Sequence, residues 1–129
     1  MGNKLHQFFY SAALSLFLLI GPHEANAQEN LDEKGALHVL QQRINVARIY
    51  ESWRKWECFN TSTEYTTSSY FDFVIHENHA KIGCSGDPAV ESVTVDRFRV
   101  YRSNKKILWY DFDGDYVPFK RVIEFRKQK

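Results

Sequence analysis

The chain has 129 residues, 43% of them hydrophobic and 26% charged, with a formal net charge of +1. That size leaves room for one domain with one core, and so near-neutral a balance by itself implies no particular partner. No internal repeat, low-complexity segment or linker divides it.

The N-terminal stretch has the parts of a secretory signal. Lys4 supplies a positive start, residues 8–20 form an apolar run, and Gly21-Pro22 ends it. Ala25-Asn26-Ala27 is a small-residue cleavage site, which predicts a cleavable signal peptide over residues 1–27. The apolar run is too short to span a bilayer comfortably, and no later run is longer. The expectation is a single mature domain over residues 28–129, secreted or periplasmic, with no transmembrane segment.

Charge divides unevenly along that domain. Residues 28–96 carry 6 Lys and Arg against 11 Asp and Glu, whereas residues 97–129 carry 10 against 4. The C-terminal third is thus the basic part of a nearly neutral protein. The two cysteines, Cys58 and Cys84, form an even pair, and in an oxidising compartment they predict a disulfide. Closing that loop stabilises the fold by roughly 3 kcal/mol on the chain-entropy model.

A helix is predicted from residue 31 to about residue 57. Asn30 can cap it, Asp32 and Glu33 fall in the first turn, and Arg54 and Lys55 suit the negative end of the dipole. Leu37, Leu40, Ile44 and Ala47 make one apolar stripe, and Val39, Val46, Ile49, Trp53 and Trp56 make a second beside it. So wide an apolar face suits a helix lying across a sheet.

Strands follow. Residues 58–67 are rich in Thr and Ser. Residues 70–77 alternate, with Phe71, Phe73 and Ile75 on one face and Asp72 and His76 on the other. Asn78-His79 predicts a turn into a short strand through Ala80, Ile82 and Cys84, followed by a loop over residues 85–88. Residues 90–102 read as a long strand whose change of parity predicts a bulge near Asp96 or Arg97. After a turn at Ser103-Asn104, residues 106–112 are apolar on both faces. Asp113-Gly114 is the strongest hairpin signal in the chain. Val117, Phe119, Ile123 and Phe125 suggest a last strand, with Pro118 tolerated at a sheet edge.

Together these elements predict an α+β domain: one long N-terminal helix packed across a curved antiparallel sheet of about five or six strands. The order is similar to that of cone-like domains of the cystatin and NTF2-like kind, a likeness of architecture that carries no function.

Few residues point to catalysis. His76-Glu77-Asn78-His79 has zinc-type ligands, but the spacing and hairpin context do not match a helical zincin pair. Cys84 with either His would need a free thiolate, which a disulfide removes. Asp111, Asp113 and Asp115 alternate as in a calcium loop, yet Gly114 and Val122 stand at the wrong positions for an EF-hand. No nucleophile elbow, phosphate loop or paired-cysteine redox motif is present, so neither a catalytic residue nor a cofactor or metal is expected.

The remaining signal is a surface. Arg97, Arg99 and Arg102 on one strand and Lys120, Arg121 and Arg126 on a later one would form a basic stripe if the strands were neighbours, with Trp109 and Tyr110 interleaved. Export disfavours nucleic acid as the partner and favours another protein or an anionic envelope component. The function expected is a small exported, non-catalytic binding module such as an inhibitor, an immunity-type protein or an envelope accessory factor. The alternative is a small-ligand or hydrolytic pocket between helix and sheet, lined by Trp53, Trp56 and Phe73 with Asp72 or His76 at the rim.

Overall fold

The computed structural model describes residues 30–52, 54–90 and 92–128. The expected signal over residues 1–27 and the core position expected for Trp53 lie outside the described residues. Among the described residues two α-helices, α1 (Glu33–Ala47) and α2 (Lys120–Lys127), accompany five strands: β1 (Phe59–Thr66), β2 (Tyr70–Glu77), β3 (Thr94–Tyr101), β4 (Ile107–Tyr110) and β5 (Tyr116–Pro118). The strands pair in chain order as an antiparallel meander, so the α+β class holds. Among the described residues no helix is long and apolar enough to cross a membrane.

Helix α1 starts where a carboxylate can satisfy its free donors. Asp32, not Asn30, is the N-cap, its Oδ1 accepting from the Gly35 N–H at 2.7 Å. A Cβ on Gly35 would stand 2.9 Å from that same oxygen, so the glycine makes room for the cap. The helix ends ten residues earlier than its apolar pattern suggested. Arg48 turns left-handed at φ 55° and closes the end through its N–H to the Asn45 carbonyl. The reason is what comes next: Ile49 and Tyr50 are adjacent and both buried, and a continuing helix would point them about 100° apart. The αL turn sends both inward. Val46, assigned by periodicity to an apolar stripe, is instead 78% exposed.

One face of the sheet packs on α1. Strand alternation puts Phe71, Phe73 and Ile75 of β2, Phe98 and Val100 of β3 and Trp109 of β4 on that face, all buried with Ala36, Leu40 and Ile44 of α1. Register sets these rows: Phe73 lies opposite Phe98, and Phe98 opposite Trp109. Two bulges interrupt the pairing. Glu64 is the extra residue in β1, between Thr63 and Tyr65. Val95 is the extra residue in β3, one position before the expected bulge.

Three segments differ from expectation. Residues 80–84 form no strand: Ile82 is 99% exposed, and Gly83 turns the chain at φ 86° so that Cys84 can reach Cys58. That disulfide is formed, with Cα atoms 5.4 Å apart, and ties the loop after β2 to the start of β1. A bridge closed over a largely buried Cys58 is compatible with an oxidising extracellular or periplasmic setting.

The last apolar run is a three-residue edge strand followed by a helix. Phe119, Val122 and Ile123 are spaced for a helical face, and Phe119 and Val122 are buried in the core. The hairpin at Asp113-Gly114 is present, with Gly114 at φ 90° and the Asp111 carboxylate accepting from the N–H groups of Asp113 and Asp115 at 3.1 and 3.0 Å. Pro118 lies in edge strand β5, where the missing donor costs nothing.

Candidate functional site

The sheet face turned away from α1 carries an unusual share of tyrosine. Strand alternation and register bring Tyr70 and Asp72 of β2, Arg97, Arg99 and Tyr101 of β3, Leu108 and Tyr110 of β4 and Tyr116 of β5 to this side. Tyr65 of β1 stands beside Tyr70, and Tyr70 in turn meets Tyr101 edge-on, with ring centroids 6.4 and 5.8 Å apart. Tyr110 and Tyr116 pair across strands at 5.1 Å. Tyr65 is 58% exposed and Tyr110 37%.

Arg99 is the fixed point of this face. Its guanidinium lies between two rings, 3.7 Å from the centroid of Tyr70 and 3.9 Å from that of Tyr116. Nε and Nη2 each donate to one oxygen of the Asp72 carboxylate at 2.8 Å, a fork-to-fork pair that locks both side chains. Asp72 is 6% exposed, so its charge requires this partner. The paired carboxylate holds the guanidinium above its usual pKa. Burial, and secondarily the Asp72 charge, pushes the Tyr116 hydroxyl up to about 12. The result is an aromatic platform fixed at its centre by the Arg99–Asp72 pair.

The structure distributes the expected basic stripe over three places. Arg97 and Arg99 stay on the outer sheet face with Tyr110, but Arg97 is neutralised by Glu64 at 3.1 Å as Arg99 is by Asp72. Arg102, half-buried at the end of β3, lays its guanidinium 4.0 Å over the Phe71 ring. Lys120, Arg121 and Arg126 belong to α2, and β4 separates β3 from β5, so no stripe across neighbouring strands forms. Arg121 pairs within its helix with Glu124 at 3.5 Å.

Trp109 and Arg126 meet inside the molecule, at a centre that sequence reasoning missed. Asp96 is 5% exposed and accepts three donors: the Tyr50 hydroxyl at 2.6 Å, the Trp109 indole N–H at 2.8 Å and the Arg126 guanidinium at 2.8 Å. One carboxylate thereby ties the turn after α1, β3, β4 and α2 together. Burial, reinforced by the Asp96 charge, raises the Tyr50 hydroxyl well above its ordinary pKa. A signal existed in the parity of β3: Asp96 shares the inward face with Phe98 and Val100, and a carboxylate at an inward position requires partners.

The groups weighed for chemistry are occupied. Cys84 is oxidised, so no cysteine nucleophile exists here. His79 contacts the Glu77 carboxylate, which Arg54 also approaches at 3.6 Å, while His76 is within 3.4 Å of the Ser62 hydroxyl and 3.3 Å of that of Thr94. Among the described residues no group of three or more His, Cys, Asp or Glu side chains is arranged to hold a metal ion. The residues expected to line a pocket between helix and sheet do not converge. Phe73 is core at 1% exposure, Trp56 packs against Tyr50 and Phe59, and Asp72 and His76 belong to the opposite face.

Compared with known proteins, the chain matches no family model, no curated protein and no solved structure.

Proposed function

We propose that this chain is a small exported, non-catalytic binding module that engages a protein partner through the tyrosine-rich outer face of its sheet. The observation that carries the reading is the Tyr70–Arg99–Tyr116 sandwich anchored on Asp72. Tyrosine and arginine are the residue types that concentrate binding energy at interfaces, and they do so best where their rotamers are fixed beforehand. Tyr65, Tyr101 and Tyr110 extend this platform with rigid amphipathic area at low entropic cost. Both arginines on the face are neutralised, which supports a polar and aromatic protein surface as the partner rather than an anion. The disulfide and the helix-then-meander order are compatible with an exported inhibitor, immunity-type or accessory domain, built on the cone-like plan of the cystatin or NTF2-like kind.

Site-specific photocrosslinking in the native host tests this. A benzophenone amino acid at Tyr65 or Tyr110 should trap one discrete partner, and the same probe at the exposed Ile82 or Val46 should not. Tyr65→Ser with Tyr110→Ser should abolish capture by a probe at Tyr101 while the chain still unfolds cooperatively with an unchanged far-ultraviolet circular dichroism spectrum. Equal crosslinking from the Tyr65, Tyr110, Ile82 and Val46 probes, or capture that survives the double substitution, would overturn the reading.

A further inference from the structure

A second surface, sharing no residue with the tyrosine platform, has the opposite electrostatic character. Between the C-terminal half of α1 and the junction of β5 with α2 runs a groove of about 630 Å³. Its apolar lining comes from half-buried Val39 and Ile107 and from exposed Val46 and Pro118, whereas Phe119 is 6% exposed and contributes little surface. Four cations line it from three separate parts of the chain: Arg43 on α1, Lys105 and Lys106 on the turn into β4, and Lys120 at the start of α2. No acidic side chain lines the groove, and none of these four cations forms an ion pair among the described residues. Arg43 instead sits over the Phe119 ring at 5.7 Å.

These four exposed cations give the groove one sign of charge. Four like charges around one concavity repel, and low-dielectric walls strengthen the field they make. The first turn of α2 adds to it. The N-cap Phe119 offers no side-chain acceptor, the first turn holds no acidic residue, and Lys120 stands where the helix dipole favours an anion. Lys105 is also held left-handed at φ 57°, a conformation that β-carbon-bearing residues adopt at a cost, by a turn in which the Asn104 side chain accepts from the Lys106 N–H at 3.0 Å. A chain under no constraint here would relieve these terms with one Asp or Glu. Elsewhere this protein does so: Arg97, Arg99 and Arg126 each have a carboxylate.

We propose that this groove binds a single small amphiphilic anion, its carboxylate or phosphate head held by Arg43, Lys105, Lys106 and Lys120 and its apolar body lying on Val39 and Ile107. The volume falls in the range of small-ligand sites, about 300–1,000 Å³. Charge complementarity selects the head group. The apolar floor distinguishes this occupant from inorganic phosphate or a sugar acid, neither of which would gain from it.

Titration calorimetry on the full oxidised protein, below the micellar concentration of each probe, tests the proposal. Dodecyl phosphate should bind with one-to-one stoichiometry, at least about ten-fold tighter than inorganic phosphate, and dodecyltrimethylammonium should not bind. Lys105→Glu with Lys106→Glu reverses two exposed charges far from the core and should weaken dodecyl phosphate by about ten-fold or more. Lys81→Glu with Lys127→Glu, an equal change of net charge elsewhere, should leave it unchanged. Inorganic phosphate binding as tightly as dodecyl phosphate would remove the apolar floor from the site. Equal weakening by the two double variants would reduce the effect to net charge. Binding only to anionic phosphatidylglycerol vesicles and not to the monomeric probe would make this a membrane-contact surface instead. Any of these results overturns the proposal, and none bears on the tyrosine platform, whose crosslinking test is separate.

Discussion

Removing the Asp96 carboxylate should be among the most damaging single changes this fold can suffer. In Asp96→Ala three donors lose their acceptor at once. Arg126, whose side chain is only 15% exposed, loses the carboxylate of this pair, and the Tyr50 hydroxyl and the Trp109 indole lose the same acceptor. Breaking a buried ion pair from one side costs about 3–5 kcal/mol. Each neutral buried donor adds about 1 kcal/mol or more. A total of about 5–7 kcal/mol is expected, against a whole-domain stability of about 5–15 kcal/mol. Urea unfolding of the oxidised protein, followed by far-ultraviolet circular dichroism and by tryptophan emission, measures it.

Compensation then separates the polar network from simple loss of volume. Adding Arg126→Met removes the charge that Asp96 answers, so Asp96→Ala with Arg126→Met should be less damaging than the sum of the two single changes by about 2 kcal/mol. If Asp96→Ala costs less than about 1 kcal/mol, or if the double variant is strictly additive, the carboxylate does not hold these elements together and the reasoning fails.

Two further outcomes follow from the same chemistry. Tyr50 and Tyr116 both titrate above the ordinary tyrosine value of 10.0 in the folded chain, so folding favours their neutral forms. The stability they contribute is complete below about pH 10 and is lost as pH rises through the folded values; urea midpoints should therefore fall steeply between about pH 10 and 12, and Tyr50→Phe should flatten that slope. On the outer face, Arg99→Met strands the buried Asp72 and should cost about 2–3 kcal/mol, whereas Arg97→Met breaks a pair exposed to solvent on both sides and should cost less than about 1 kcal/mol; equal unfolding midpoints for the two variants would contradict the geometry of the Tyr70–Tyr116 sandwich.

What could be read from the sequence was whatever depended on neighbouring residues. The alternation of Phe71, Phe73 and Ile75, the hairpin at Asp113-Gly114, the edge position of Pro118 and the Cys58–Cys84 bridge are all local or pairwise properties, and each is present. The end of α1 was not legible, because Val46 continues the helical stripe while tertiary demands on Ile49 and Tyr50 break it at Arg48. Residues 117–125 satisfy two periods at once: Val117 and Phe119 alternate as a strand, while Phe119, Val122 and Ile123 recur as a helix. Core packing of Val122 decides for the helix. The Asp96 centre was illegible for a different reason: its donors come from positions 50, 109 and 126, and only the closed meander brings them together.

The uneven charge of the chain acquires a different meaning once the ion pairs are known. An acidic first part and a basic last third read, in sequence, as a surface waiting for an anionic partner. In the fold the two parts neutralise each other: Glu64 with Arg97, Asp72 with Arg99 and Asp96 with Arg126 each join a carboxylate from before residue 97 to an arginine at or after it. Every one of these cations is an arginine, the side chain whose planar fork suits a fixed carboxylate in a partly dry setting. What remains after that cancellation is mostly lysine, and Lys105, Lys106 and Lys120 converge with Arg43 on one groove. Net charge along the chain is therefore a poor guide to where a partner binds, because three of the ten cations after residue 96 are consumed in holding β3 against β1, β2 and α2. The informative charge is the residue that folding leaves uncompensated, and here it lies beside α1 and not on the tyrosine face where the basic stripe was expected.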